Sequence, residues 1–227
     1  MKNNKKIINV LIINIIIILL ELFALSCTFF RFLPEAEDTM TWYSHFTKYT
    51  TLSNIFLLIV SIIIVVVKLR ELKGRKTFDY SILKYTSVVV ISVTFITIVV
   101  FALIFLKASL LFDIKAEMFM LLHTICPILG LISYILFDDT DMAKRKDKIY
   151  PALFTILYTV FIELVYFFGG DVPYINDFGS EPLAVNGWEV LLAGVIELSL
   201  TLTLAVIIRI IKNKIQTKKA KNEQRKC

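Results

Sequence analysis

The stretch IINVLIINIIIILLELFALSCTFF, Ile7 to Phe30, carries one charged residue, Glu21, in 24 positions. A soluble helix keeps a polar stripe for water and a soluble strand alternates, whereas here the apolar residues go all the way round. At about 1.5 Å of rise per residue, the stretch is long enough to cross hydrocarbon roughly 30 Å thick, which takes about 20 residues. Five further runs share its character: Thr50 to Val67, Ile82 to Leu106, Met118 to Phe137, Tyr150 to Phe168 and Trp188 to Ile211, so that all six span 18 to 25 residues. With 57% hydrophobic residues and a mean hydropathy of +0.76, nothing between the runs could build a second globular core. The expectation is an all-α membrane protein with six transmembrane helices over residues 1–211 and a basic tail over residues 212–227.

Orientation follows from Lys and Arg. Lys2, Lys5 and Lys6 precede the first run, Lys68, Arg70, Lys73, Arg75 and Lys76 follow the second, and Lys144, Arg145, Lys146 and Lys148 separate the fourth from the fifth. Eight more follow from Arg209 onward. The alternate connectors hold only Arg31, Lys48, Lys107 and Lys115, among Glu35, Glu37, Asp38, Asp113, Asp171, Asp177 and Glu181. Positive charge stays inside, so both termini are expected in the cytoplasm. The net charge of +6 then reads as a topology signal with attraction to anionic lipid heads, and not as a nucleic-acid surface. Membrane lipids are the expected partners. Richness in Ile, Lys and Asn suggests an AT-rich bacterial genome, hence a multi-pass protein of the bacterial plasma membrane. The first run exceeds the roughly 7 to 15 residues of a signal-peptide core and is read as a retained helix.

Cys27, Cys126 and Cys227 have no paired spacing, and the only histidines are His45 and His123. No disulfide framework, metal site or cofactor is expected from them. The connectors Arg31 to Tyr49 and Gly169 to Gly187 are the long ones, both on the outer side, and the second is rich enough in turn formers and aromatics to cap the bundle. His45, beside Trp42 and Tyr43, reads as an interfacial anchor.

A strongly polar group within hydrocarbon costs about 2.5 to 3.5 kcal/mol on insertion scales, so each calls for a partner or a function. The candidates are Glu21; Thr50, Thr51, Ser53 and Asn54; His123 and Thr124; Glu163; and Glu197. Counted along their helices, they collect in the outer half of the bundle. Thr50, Ser53 and Asn54 share a helix face at i, i+3 and i+4, while Thr51 points about 100° away. Ser and Thr there can simply bond their own helix carbonyls, with Asn54 joining two helices. Pro127 lies four residues after His123 and lacks the amide that the His123 carbonyl would use, so a kink and a widened space are expected beside that histidine. A buried neutral imidazole can take a hydroxyl proton, and Thr with His is the minimum equipment for hydroxyl nucleophile catalysis.

The segments Tyr49-Thr50-Thr51-Leu52-Ser53-Asn54, His123-Thr124-Ile125-Cys126-Pro127 and Pro173-Tyr174-Ile175-Asn176-Asp177 resemble the bacterial branch of the androgen-induced protein family. That family comprises six-pass membrane proteins whose animal members are threonine hydrolases of fatty acid esters of hydroxy fatty acids. The resemblance implies a nucleophile at Thr50, or at Thr51 by a one-residue slip, and a catalytic histidine at His123. The expected activity is therefore hydrolysis of a lipid-like acyl ester: Thr50 attacks the acyl carbon, His123 moves its proton, Asn54 and Ser53 support the site, and Glu163 or Glu197 orients the base or holds a helix pair. Two other readings stay open. One is acyl transfer by the same acyl-threonine; the other is a non-enzymatic transporter or lipid-binding protein in which Glu21, Glu163 and Glu197 carry a proton or cation.

Overall fold

The computed structural model describes residues 2–30, 47–105, 121–138, 140, 143–168 and 187–224. Among them there are six helices and no strand: α1 Lys2–Phe30, α2 Tyr49–Leu72, α3 Ser81–Phe105, α4 over 121–137, α5 Ile149–Phe167 and α6 Gly187–Gln224. A short 3-10 turn, Arg145–Lys148, leads into α5. Four stretches are long and apolar enough to cross a membrane: Asn4–Cys27, Tyr49–Leu72, Arg145–Phe167 and Val190–Lys219. Two shorter ones, Ser81–Thr97 and Leu122–Phe137, are apolar as well. Most of each long connector, with Trp42, Tyr43, His45 and the segment 173–177, lies outside the described residues.

The bundle is built around α3. Lys84 through Thr94 are eleven consecutive residues, every one buried, which requires protein on all sides of the helix. Three clusters supply it. Val88 and Val89 pack with Tyr134 of α4 and with Ala205 and Ile208 of α6. Val90 and Val93 meet Tyr49 of α2, Tyr158 and Ile162 of α5 and Val190 of α6. Ile91 meets Ile17 of α1, Leu57 of α2 and Cys126 of α4. The other five helices thus enclose α3, with α2 meeting α5 at Tyr49 and α4 meeting α6 at Tyr134.

Outward faces are apolar too. Ile8, Ile12, Ile15, Ile16, Leu19, Leu22 and Phe23 of α1 and Leu153, Ile156, Leu157, Val160, Phe161 and Leu164 of α5 are all exposed. Continuous apolar surface on this scale is strongly unfavourable in water and costs nothing in lipid. The bundle therefore has two kinds of apolar face, one packed on protein and one suited to hydrocarbon.

The basic residues of α2's end and of the 144–148 segment gather at one end of the bundle, called the basic end below; Tyr49 and Leu121 start their helices at the far end. α6 does not stop at residue 211. It continues unbroken to Gln224, and Lys212 is fully buried, so the boundary expected between membrane domain and tail falls inside a helix. The reason is visible in the packing, since Lys212 is held against the end of α4.

Candidate functional site

Pro127 shapes the far end of α4. Without a proline N–H the i−4 ladder cannot continue through it, and the preceding turn, Leu121–Ile125, is π-helical. The wide turn is the local form taken by the expected distortion, and such turns cluster at functional sites. His123 sits in this turn, half-buried, the one histidine among the described residues. The turn packs on α1, α2 and α3. Leu122, its neighbour, lies among Ala24 and Leu25 of α1 and Ile55 and Leu58 of α2.

α2 brings its polar row to the same level, with Thr50, Thr51, Ser53 and Asn54 all buried. Their directions differ. Ser53 Oγ donates to Thr50 O at 2.8 Å and pairs with Thr94 Oγ1 of α3 at 2.8 Å. Thr50, three residues before Ser53, shares that face toward α3. Thr51 has Ile55 at i+4 and Leu58 at i+7, which pack in the cluster that holds Leu122, and Thr50 has Asn54 at i+4 and Leu57 at i+7, with Leu57 packed in the cluster that holds Cys126, so the faces of both threonines border α4. Asn54 Nδ2 donates to Thr50 O at 2.8 Å, while its Oδ1 is buried without a hydrogen-bond partner. One amide proton of Asn54 is thereby committed to the backbone.

The start of α2 has no side-chain cap of its own, and α5 supplies one. Tyr158 Oη accepts from Tyr49 N at 3.1 Å and donates to Thr47 O at 3.0 Å. Tyr49 Oη continues the chain of hydroxyls through Thr155 Oγ1 at 3.3 Å to Thr201 Oγ1 at 2.9 Å. The first turn of α2, where both threonines lie, is anchored across the bundle in this way.

The two carboxylates expected to support the base lie elsewhere. Glu163 and Glu197 are on α5 and α6, which pack on each other, whereas the turn that bears His123 packs on α1, α2 and α3. One carboxylate oxygen of Glu163 is buried without a partner. Glu21 is fully buried in α1, beside the thiol of Cys126 of α4. Its neighbour Ile17 packs on Leu57, and Ala24 packs on Ile55, which puts Glu21 level with Asn54. Among the described residues no cluster of His, Cys, Asp and Glu has metal-binding proximity.

The larger polar assembly is at the basic end, where the sequence reading placed none. Lys84 of α3 is fully buried, and its Nζ donates to Asn14 Oδ1 of α1 at 3.1 Å. Asn14 is fixed by its other atom, Nδ2, which donates to Val10 O at 2.7 Å and to Ser133 Oγ at 3.4 Å. Asp138, just past α4, accepts from Tyr80 Oη and Thr140 N, each at 3.1 Å. Lys212 Nζ of α6 donates to Tyr134 O at 2.5 Å and to Asp138 O, and stands 4.5 Å over the Tyr134 ring. Lys219 Nζ adds a bond to Leu136 O at 2.8 Å. These lysines satisfy the carbonyls that a helix end leaves open and oppose its negative dipole end. The signal was present in the sequence: Asn14 and Lys84 interrupt apolar runs just as Glu21 does.

No family model matches the chain, and neither a curated protein nor a solved structure does.

Proposed function

We propose that this chain is a multi-pass membrane protein, its six helices spanning the bilayer with the basic end and both termini in the cytoplasm, and that it hydrolyses a lipid-like acyl ester at the far end. The observation that carries the reading is the π-helical turn at Leu121–Ile125: it holds His123 at the level of two buried threonines of α2, in the segments that resemble the androgen-induced protein family. A threonine hydroxyl attacks the acyl carbon, His123 accepts its proton and returns it to the leaving alcohol, and water then releases the acyl group by the same path. Either threonine can serve: Thr50 shares a face with Leu57, which packs with Cys126, and Thr51 shares one with Ile55 and Leu58, which pack beside Leu122. Thr50 is the neighbour whose carbonyl anchors Ser53 and Asn54.

Labelling of the purified protein with a fluorophosphonate probe tests this directly. The wild type is expected to be labelled, with loss of label and of ester turnover in His123→Ala and in the variant that lacks the nucleophile, Thr50→Ala or Thr51→Ala. Full turnover in both threonine variants, or no turnover by the wild type across acyl lengths, ends the hydrolase reading.

One observation favours a carrier instead: the Glu21 carboxyl is enclosed at mid-bundle, the placement of a group that carries a proton or cation. In that case Glu21→Gln abolishes function while Thr51→Ala leaves it intact.

A further inference from the structure

α6 keeps two distinct faces along its length. Toward the bundle it turns Val190, Gly194, Thr201, Ala205 and Ile208, all buried. That face ends in Lys212, Gln216 and Lys219, which donate to carbonyls of Tyr134 and Asp138, of Thr140 and of Leu136. On the opposite side Leu192, Ile196, Ser199, Thr203, Ile207 and Ile210 recur every three or four residues and are all exposed, a straight stripe suited to hydrocarbon. Ser199 and Thr203 do not interrupt it, because their hydroxyls donate to Val195 O and Ser199 O in their own helix, each at 2.8 Å.

The outer stripe runs on at the same spacing into Lys214, Lys218 and Lys221, all exposed. Like charges one turn apart weaken a helix, and none of the three forms an ion pair among the described residues. The grip on α4 uses only the other face, so the row is left to a negative partner from outside the chain. Its position selects that partner. Lys214 comes one turn after Ile210, about 6 Å along the axis, where hydrocarbon gives way to headgroups. Lys218 and Lys221 follow at about 12 and 16 Å. Helical side chains lean toward the N-terminus, which for α6 at this end is the direction of the bilayer, and long lysine stems extend that reach. Other exposed cations of the basic end, Lys73, Arg75 and Lys76 among them, lie between α2 and α3 and continue no lipid-facing stripe.

We propose that Lys214, Lys218 and Lys221 form a docking surface for anionic phospholipid headgroups of the leaflet at the basic end. Lipid held there fastens the outer face of the α6 extension as α4 fastens the inner one. The surface rests on the membrane reading and is independent of ester hydrolysis.

Native mass spectrometry of the full chain, released from nanodiscs of mixed phosphatidylglycerol and phosphatidylcholine, reads the selectivity. The wild type is expected to retain phosphatidylglycerol preferentially. Replacing Lys214, Lys218 and Lys221 together by Gln should weaken that preference about tenfold or more, at roughly fivefold per cation near an anionic surface. The same loss of charge at Lys73, Arg75 and Lys76 should weaken it less than about threefold. Hydrogen exchange of amides 213–221 gives a second measurement: it should slow when phosphatidylglycerol replaces phosphatidylcholine in the wild type, and not in the α6 triple variant. No preference in the wild type, undiminished preference in the α6 variant, or an equal loss in both triple variants, the mark of diffuse attraction, overturns the proposal. So does polyglutamate binding to the row without lipid preference, which assigns it to an acidic protein. Failure of the chain to enter nanodiscs is the separate result that ends the membrane reading, and the docking surface with it.

Discussion

The two ends of α4 both widen into π turns, Leu121–Ile125 and Ser133–Phe137, and differ in what satisfies the backbone groups that hydrocarbon cannot. At the far end Pro127 removes a donor, and the backbone responds by widening into a π turn around His123. At the basic end the helix stops, and its carbonyls take donors from another helix: Lys212 reaches Tyr134 O and Asp138 O, and Lys219 reaches Leu136 O. The first solution is local and leaves a distorted space beside a titratable group. The second is tertiary and ties α6 to α4. The contrast explains why α6 persists so far beyond the apolar run, since its lysines complete another helix.

The comparison extends to the two buried lysines. Lys212 bonds two carbonyls and stands over a tyrosine ring, whereas Lys84 bonds one side-chain oxygen, so the same substitution should cost more at Lys212. Lys212→Met leaves two main-chain carbonyls unpaired in the interior and is expected to cost about 3 to 5 kcal/mol, the range for breaking a buried charged network. Lys84→Met leaves the buried Asn14 Oδ1 without its donor and is expected to cost about 1 to 3 kcal/mol, the range for one unsatisfied buried polar atom. Unfolding of both variants in detergent, by heat or denaturant, reads the difference. Equal destabilisation would show that Lys84 is as well satisfied as Lys212.

A smaller effect separates the two sides of α3. A Cβ at Gly194 of α6 would fall against Thr159 of α5, 3.1 Å from its Cβ and closer to its outer atoms, so Gly194→Ala is expected to destabilise by about 1 to 3 kcal/mol through overpacking. A Cβ at Gly130 of α4 would rest at ordinary contact, 3.5 Å from Leu57, and Gly130→Ala is expected to be tolerated or to gain up to about 1 kcal/mol from helix propensity. Thermal midpoints of the pair test whether α5 and α6 fit more tightly than α4 fits α2.

Ser53→Ala removes the hydroxyl that bridges α2 to Thr94 of α3 and should cost about 1 kcal/mol. Its effect on labelling of Thr51 should be slight, because the two side chains lie on different faces. Loss of labelling would instead join both faces into one site.

The smallest effect lies outside the spans. Asp79 accepts from Ser81 N at 2.8 Å and from Ser81 Oγ, and these bonds hold its carboxyl below the ordinary carboxylate range. The folded state therefore favours the charged form. Its contribution is present at neutral pH and is lost as pH falls through the lowered value. Asp79→Asn should remove that acid-side dependence at a cost below about 1 kcal/mol, since the group is exposed. Unfolding midpoints of wild type and variant from neutral pH downward read it.

Helical class, the positions of the apolar runs and the distortion at Pro127 were all readable in the sequence, because each rests on local properties: apolar periodicity, run length and a missing amide. The polar row of α2 was readable as composition. Its directions were not, since one face bonds Thr94 and the other meets Leu122 only once α3 and α4 are in place. The basic-end network was the larger omission. Asn14, Lys84 and Lys212 are distant in the sequence, each near the end of a run where a lysine or asparagine can reach water or headgroups unaided. Whether such a residue escapes to the surface or is enclosed depends on what packs over it.

The sequence alone therefore set that the chain is helical, that its helices are apolar on every side, and that its positive charge is sorted to one end. Tertiary structure decided that α3 is the helix surrounded by the others, that the polar first turn of α2 lies level with the histidine turn, and that two lysines are buried. The physical reason is that hydrophobicity and hydrogen-bonding potential belong to individual residues. Burial and partnership belong to pairs of helices, and within an apolar bundle nothing in a helix's own composition says which of its faces meets protein and which meets lipid.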